Sequence, residues 1–219
     1  MSNFIKLLKR EINLIIKNSR SLMSYSSFFL ISLILFIFAI GPDEEILSSL
    51  YRPILWIIMI FALIAISETF VFDDFADGSL SELQFLGYSE ISIFLAKCFA
   101  MSFSLLFPNL FLIPISSIFF DITLIFLIDT IFLIIISFPT LSLISVLSAL
   151  ISLQMKRNKF IQFILIMPFF IPVIIFGTGT NFLFNIDNEF KILILISLFL
   201  ITLPLSIILG KLVIKEINY

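Results

Sequence analysis

Residues 53–83 read PILWIIMIFALIAISETFVFDDFADGSLSEL, and they join two unlike halves. In the first half, residues 53–72, Glu68 is the single charged side chain. A helix needs about 20 predominantly apolar residues to cross a bilayer. The second half carries four carboxylates, those of Asp73, Asp74, Asp77 and Glu82. The stretch therefore predicts a membrane helix that leads into an acidic segment outside the bilayer.

The composition of the whole chain agrees with a membrane location. Hydrophobic residues make up 61% of the 219 residues and charged residues 13%, whereas a typical soluble domain is about 25% charged. We predict an all-α membrane protein with one domain over residues 1–219. The formal net charge of −2 gives no reason to expect a nucleic-acid partner.

Six apolar segments are long enough to be spans. They cover residues 22–40, 53–72, 91–118, 124–153, 160–176 and 192–214. Residues 1–21 precede them, with apolar side chains at helical spacing on one side and basic side chains mostly on the other. This pattern predicts an amphipathic helix that lies in the membrane interface.

The positions of the basic residues predict the orientation. Of the 13 Lys and Arg residues, 11 lie on one side of these six spans, and only Arg52 and Lys191 fall on the other. Because basic residues concentrate on the cytoplasmic side, we predict that both termini and residues 73–90 face the cytoplasm, or the matrix in a mitochondrion.

The acidic segment has the features of a docking element. Asp77 or Ser79 could cap a short helix over residues 80–85, and Gly78 would permit the turn before it. Leu80, Leu83 and Phe85 would give that helix an apolar side, and the four carboxylates of the acidic segment have almost no basic partner. We favour docking on a partner protein over the alternative, a solvated loop.

A second segment lies at the end of the fifth span and just after it, where Pro172, Gly177 and Gly179 are close together in sequence. Glycine and proline permit a broken or re-entrant backbone where it lines a cavity. A plain flexible turn is the alternative.

Several kinds of chemistry are excluded by residue type. The chain has no histidine and one cysteine, Cys98, so it cannot build a Ser-His-Asp triad or an internal disulfide, and it lacks the residues for a typical zinc site. A P-loop needs G-x-x-x-x-G-K-[ST], and the single Gly-Lys pair, Gly210-Lys211, is followed by Leu212. We therefore expect no catalytic, metal-binding or cofactor-binding residue, and no enzyme activity.

The acidic segment resembles the signature D-D-Y-E-D-G-S-L-E of the CcmB family, haem exporter protein B. The similar residues begin at Glu68 and continue through Asp73, Asp74 and residues 77–80. Four further stretches agree in order and spacing: Arg10-Glu11, Gly41-Pro42, Pro139 with residues 141–143, and residues 171–177, which read IPVIIFG. The chain departs from the family at Phe75, where the signature has tyrosine, and at Ser145 and Ser148, where many relatives carry glycine.

The resemblance implies an ABC-2-like permease that lacks its own ATPase. It implies a separate CcmA-like ATPase that binds ATP, CcmC-like and CcmD-like haem-handling membrane partners, and two copies of this chain in a complex for cytochrome c maturation. It places the chain in the inner membrane of a bacterium or a mitochondrion. It assigns ATPase coupling to residues 73–90, with Asp73, Asp74, Asp77, Gly78, Ser79, Leu80 and Glu82 as the candidate residues.

Haem is the cargo that the resemblance implies, but the chain has few residue types that could hold its iron. Protein haem usually takes His, Cys, Met or Tyr as an axial ligand, and histidine is absent here. We expect a partner to hold the iron. Two other functions remain open: a secondary transporter that needs no ATPase, and a non-transporting scaffold of the maturation complex.

Overall fold

A computed structural model describes residues 2–17, 19–155, 159–178 and 188–216. All regular secondary structure in these residues is helical, which confirms the predicted all-α class. The helices are α1 (Ser2–Lys17), α2 (Ser19–Ile40), α3 (Glu44–Ala76), α4 (Ser79–Phe85), α5 (Glu90–Phe119), α6 (Leu124–Gln154), α7 (Lys159–Thr178) and α8 (Asn188–Glu216).

Five of the described helices are long and apolar enough to cross a membrane, namely α2, α3, α5, α6 and α8. The apolar part of α7 is shorter, so six crossings remain a prediction. The bounds of the other helices follow the predicted spans to within about four residues, whereas α3 begins at Glu44, nine residues before the predicted span 53–72. The chain is a multi-pass membrane protein.

Helix α3 occupies the centre of the domain and buries most of its length against α2, α6 and α7. It runs for 33 residues and continues past residue 72 to Ala76. Asp73 and Asp74 therefore lie in its last turns, where the sequence placed the start of a connecting segment. The apolar run predicts where the membrane ends, but a helix can continue beyond that boundary.

The predicted backbone break after the fifth span is wrong for the described residues. Pro172 and Gly177 both lie within the continuous helix α7, and Gly179 lies outside the described residues. Gly177 serves close packing instead, since a Cβ atom on it would lie 2.5 Å from the Trp56 side chain of α3. The absence of a side chain lets α7 approach α3 at this point.

Both ends of the described chain lie at the same end of the helix bundle, which we call the α4 end. The Gln84 amide of α4 donates a hydrogen bond to the carbonyl of Ile214 in α8 (3.2 Å). The Gln154 amide, at the end of α6, donates to the neighbouring carbonyl of Val213 (3.0 Å). Helix α1 packs at this end through Lys97 of α5. An even number of crossings requires this arrangement.

Candidate functional site

Helix α4 begins at a turn that its sequence specifies. Gly78 adopts φ +76°, which favours glycine, and Ser79 is the first residue of the helix. The Asp77 carboxylate accepts a hydrogen bond from the Ser79 amide (3.0 Å) and another from the Ser79 hydroxyl. Both bonds lower the pKa of the Asp77 carboxyl, and the bond from the hydroxyl has the larger effect. The predicted turn at Gly78 is confirmed, but Gly78 itself occupies the N-cap position, which the sequence had assigned to Asp77 or Ser79, and the helix begins one residue earlier than predicted.

One of the three residues predicted to form the apolar side of α4 lies on another side of the helix. Leu80 and Leu83 are buried, as expected for an apolar side that packs on the spans. Phe85 does not join them, because it is 97% exposed. Five residues correspond to about 140° beyond a full turn of a helix, so Phe85 lies on a different side from Leu80.

The end of α4 thus presents two consecutive exposed apolar side chains, Phe85 and Leu86, which we call the α4 tip. Phe85 is followed by Leu86, which is 67% exposed. The carboxylates of Asp73, Asp77 and Glu82 are also exposed. Large apolar side chains that remain exposed next to charged ones are typical of protein contact sites.

Beneath this surface lies a buried charge cluster of three side chains from three helices, Glu11 of α1, Asp74 of α3 and Lys97 of α5. The Lys97 ammonium donates to the Glu11 carboxylate at 3.0 Å and pairs with the Asp74 carboxylate. Glu11 and Lys97 are fully buried, and Asp74 is 6% exposed. The expectation that the acidic segment has almost no basic partner is therefore wrong for Asp74, since its partner is distant in sequence.

The environment of the cluster offsets part of the cost of burying charge. Arg10 pairs with Glu11 at 2.6 Å from the partly exposed edge of α1, and the Lys97 ammonium lies 4.7 Å from the centre of the Phe70 ring. Burying an ion pair is costly, and breaking one is strongly destabilising because a charge remains unpaired. The cluster therefore fixes α1, α3 and α5 in one arrangement at the α4 end.

A cavity of about 160 Å³ adjoins the cluster. The carboxylates of Asp73, Asp74 and Asp77 line it on one side, and Phe70 and Met101 are among the apolar residues on the other. Within the described residues, no group of three or more His, Cys, Asp or Glu side chains is arranged to hold a metal ion. The acidic lining is therefore a feature of the helix junction and gives no support for a metal site.

A second ion pair lies at the opposite end of the bundle. Arg52 of α3 is buried and pairs with Asp129 of α6 at 2.5 Å, and its Nε donates to the Thr130 hydroxyl (2.8 Å). The guanidinium carbon lies 3.8 Å from the centre of the Phe126 ring. A cavity of about 530 Å³ adjoins Arg52. In the sequence Arg52 served only to predict orientation, because its partner lies far along the chain.

The structure thus divides the candidate coupling residues into two groups. Asp74, Ser79 and Leu80 are buried and hold the segment to the spans, whereas Asp73, Asp77, Gly78 and Glu82 are exposed. Sequence reasoning missed Glu11 and Lys97 as members of the site. The sequence did indicate that both residues are unusual, because each is a charged residue on an otherwise apolar side of a helix.

Comparison with known proteins supports the resemblance carried by the acidic segment. The family model described as CcmB protein matches residues 2–211. The proteins named Heme exporter protein B of Pseudomonas aeruginosa and Haemophilus influenzae are 29% and 26% identical over 183 and 176 residues. These matches cover 82% and 80% of this chain, and 81% and 80% of the relatives.

An uncharacterised protein of Rickettsia conorii is 31% identical over 222 residues, which span 99% of this chain and 98% of the relative. This match and the family model therefore include the α1 helix, the acidic segment and the spans that surround the charge cluster. With the family model matching nearly the whole chain, the chain belongs to the CcmB protein family.

Proposed function

We propose that this chain is the permease subunit of an ABC-type exporter that acts in haem delivery for c-type cytochrome maturation. Relatives named Heme exporter protein B support the haem assignment. A separate CcmA-like ATPase binds and hydrolyses ATP, since the sequence has no P-loop. The chain itself is not an enzyme.

The proposed coupling to an ATPase rests on one observation: the α4 tip is exposed, while the other side of α4 is packed against the spans. Leu80 and Leu83 are buried, and Gln84 bonds to α8. A partner that pushes on Phe85 and Leu86 therefore moves residues that are attached to α3 and α8. This is the geometry that transmission of force from an ATPase needs.

The remaining partners follow from the family and the sequence. Two copies of the chain match the paired action of ABC ATPases, and CcmC-like and CcmD-like proteins handle the haem. The complex lies in the inner membrane of a bacterium or mitochondrion, and the chain crosses it six times with both termini on the cytoplasmic or matrix side. A partner holds the haem iron, because the chain has no histidine.

Capture of the full-length chain from detergent-solubilised membranes tests this function. We expect an ABC ATPase and a haem-binding membrane protein to be captured with it. Capture of neither, at normal abundance of the chain, would contradict the proposal. Transport by the purified chain in liposomes without ATP would favour a secondary transporter instead. If an ATPase-inactive partner still supports cytochrome c maturation, the chain is a scaffold.

A further inference from the structure

We propose that Glu11 is a positioning residue that makes α1 part of the coupling apparatus, so that α1 and α4 respond to the ATPase as one unit. The inference rests on the proposed function, because it requires an ATPase that engages α4. It assigns to the N-terminal helix a role beyond lying in the membrane interface.

The position of Glu11 within α1 is the first observation. The residues one turn away on the same side, Leu7 and Ile15, are buried and apolar, and Glu11 is fully buried between them. An apolar residue at this position would pack α1 against α5 without the cost of burying a carboxylate. The packing of α1 against α5 therefore does not explain why a charged residue lies at position 11.

The partner of Glu11 is the second observation. Lys97 already has a carboxylate partner in Asp74, and one carboxylate balances one ammonium. Glu11 adds a second carboxylate to the same ammonium, at 3.0 Å, and Arg10 of the same helix supplies a second cation to Glu11. A charged pair accepts fewer arrangements than an apolar contact does, so Glu11 fixes the position of α1 relative to Lys97 and Asp74.

The contact between the cluster and α4 is the third observation. The hydroxyl oxygen of Ser79, the first residue of α4, lies 3.4 Å from the Asp74 carboxylate, while its proton is donated to the nearer Asp77 carboxylate. Ion pairs therefore connect α1 to α3 through Glu11, Lys97 and Asp74, and Asp74 lies against Ser79 at the start of α4. A network of this kind can carry a displacement from one helix to another.

The variant Glu11→Gln tests this role because it removes the charge and keeps the size of the side chain. It leaves Lys97 and Asp74 as a balanced pair, so we expect normal abundance of the chain. The α4 tip is unaltered, so ATPase capture should also equal that of the wild type. The yield of holocytochrome c per captured complex should fall about tenfold, within the usual range for coupling between sites.

Two further variants complete the experiment. Glu11→Asp keeps the charge and should restore most of the holocytochrome c yield. Lys9→Gln removes a charge from the exposed side of the same helix and should leave the yield unchanged.

The possible results separate the two proposals. If Glu11→Gln gives a wild-type yield per captured complex, or if abundance, capture and yield fall in parallel, Glu11 is not a positioning residue. In both cases the proposed function survives as long as the wild-type chain captures an ATPase. A wild-type chain that captures none overturns the proposed function and this inference with it.

Discussion

Replacing Phe85 and Leu86 together with alanine is expected to abolish capture of the ATPase while the chain remains folded in the membrane. Both side chains are mostly exposed, so their loss removes little from the packing of the domain. In a complex they would be buried, and each would contribute roughly 1.5–3 kcal/mol. Loss of both should weaken the complex by about a hundredfold or more.

The chain offers a matched control at the opposite end of the bundle. Ile118 and Phe119 are also consecutive, apolar and mostly exposed, at the end of α5. Their double replacement with alanine removes a comparable apolar surface from the side that the ATPase does not reach. Equal capture by the two double variants would show that the α4 tip is not the contact site.

Replacing Lys97 with methionine is expected to have the largest effect on stability. Methionine matches the length of the lysine stem but leaves the Asp74 carboxylate buried without a cation, and it leaves the buried Glu11 carboxylate with Arg10 alone. Breaking a buried ion pair in this way costs about 3–5 kcal/mol. We expect a large drop in the amount of folded chain, measured by the recovery of monodisperse protein in detergent and by its thermal unfolding midpoint.

A combined variant separates the effect of charge from that of packing. Adding Glu11→Gln and Asp74→Asn to Lys97→Met removes all three charges and keeps similar side-chain volumes. Two buried amides cost much less free energy than a buried unpaired carboxylate does, so part of the lost stability should return. Lys97→Met with wild-type stability, or a triple variant no better than Lys97→Met, would contradict the structural role of the cluster.

The spans could be predicted because a bilayer imposes a length on every apolar segment. Residues 124–153, for example, were predicted as a span, and α6 covers Leu124–Gln154. The end of α3 was less predictable, since the helix continues for four residues beyond its apolar run. The turn at Gly78 could be predicted because its cause lies in neighbouring residues, Asp77 and Ser79.

The charge cluster could not be predicted, because its members are far apart in sequence. Lys97 is 86 residues from Glu11 and 23 residues from Asp74, and neither local spacing nor composition shows that they meet. The position of Asp74 in this cluster decides which residues should be mutated to test docking. Reversing the charge of Asp74 would disturb the core of the site, so docking should be tested at Asp73, Asp77 and the α4 tip.

Labelling of a cysteine at position 85 tests the central claim most directly, namely that the α4 tip faces the compartment that holds ATP. Cys98 is the single cysteine in the sequence and is buried, so Phe85→Cys provides one exposed thiol. Ser49→Cys provides the control thiol, since Ser49 is exposed at the opposite end. The reagent is a membrane-impermeant maleimide, applied to cells that lack the ATPase and have an intact inner membrane, and then to inverted vesicles from these cells, because a bound ATPase would cover position 85. We predict that the Ser49→Cys variant reacts only in the intact cells and that the Phe85→Cys variant reacts only in the inverted vesicles. Labelling at position 85 from the outer side of the intact membrane would contradict the account.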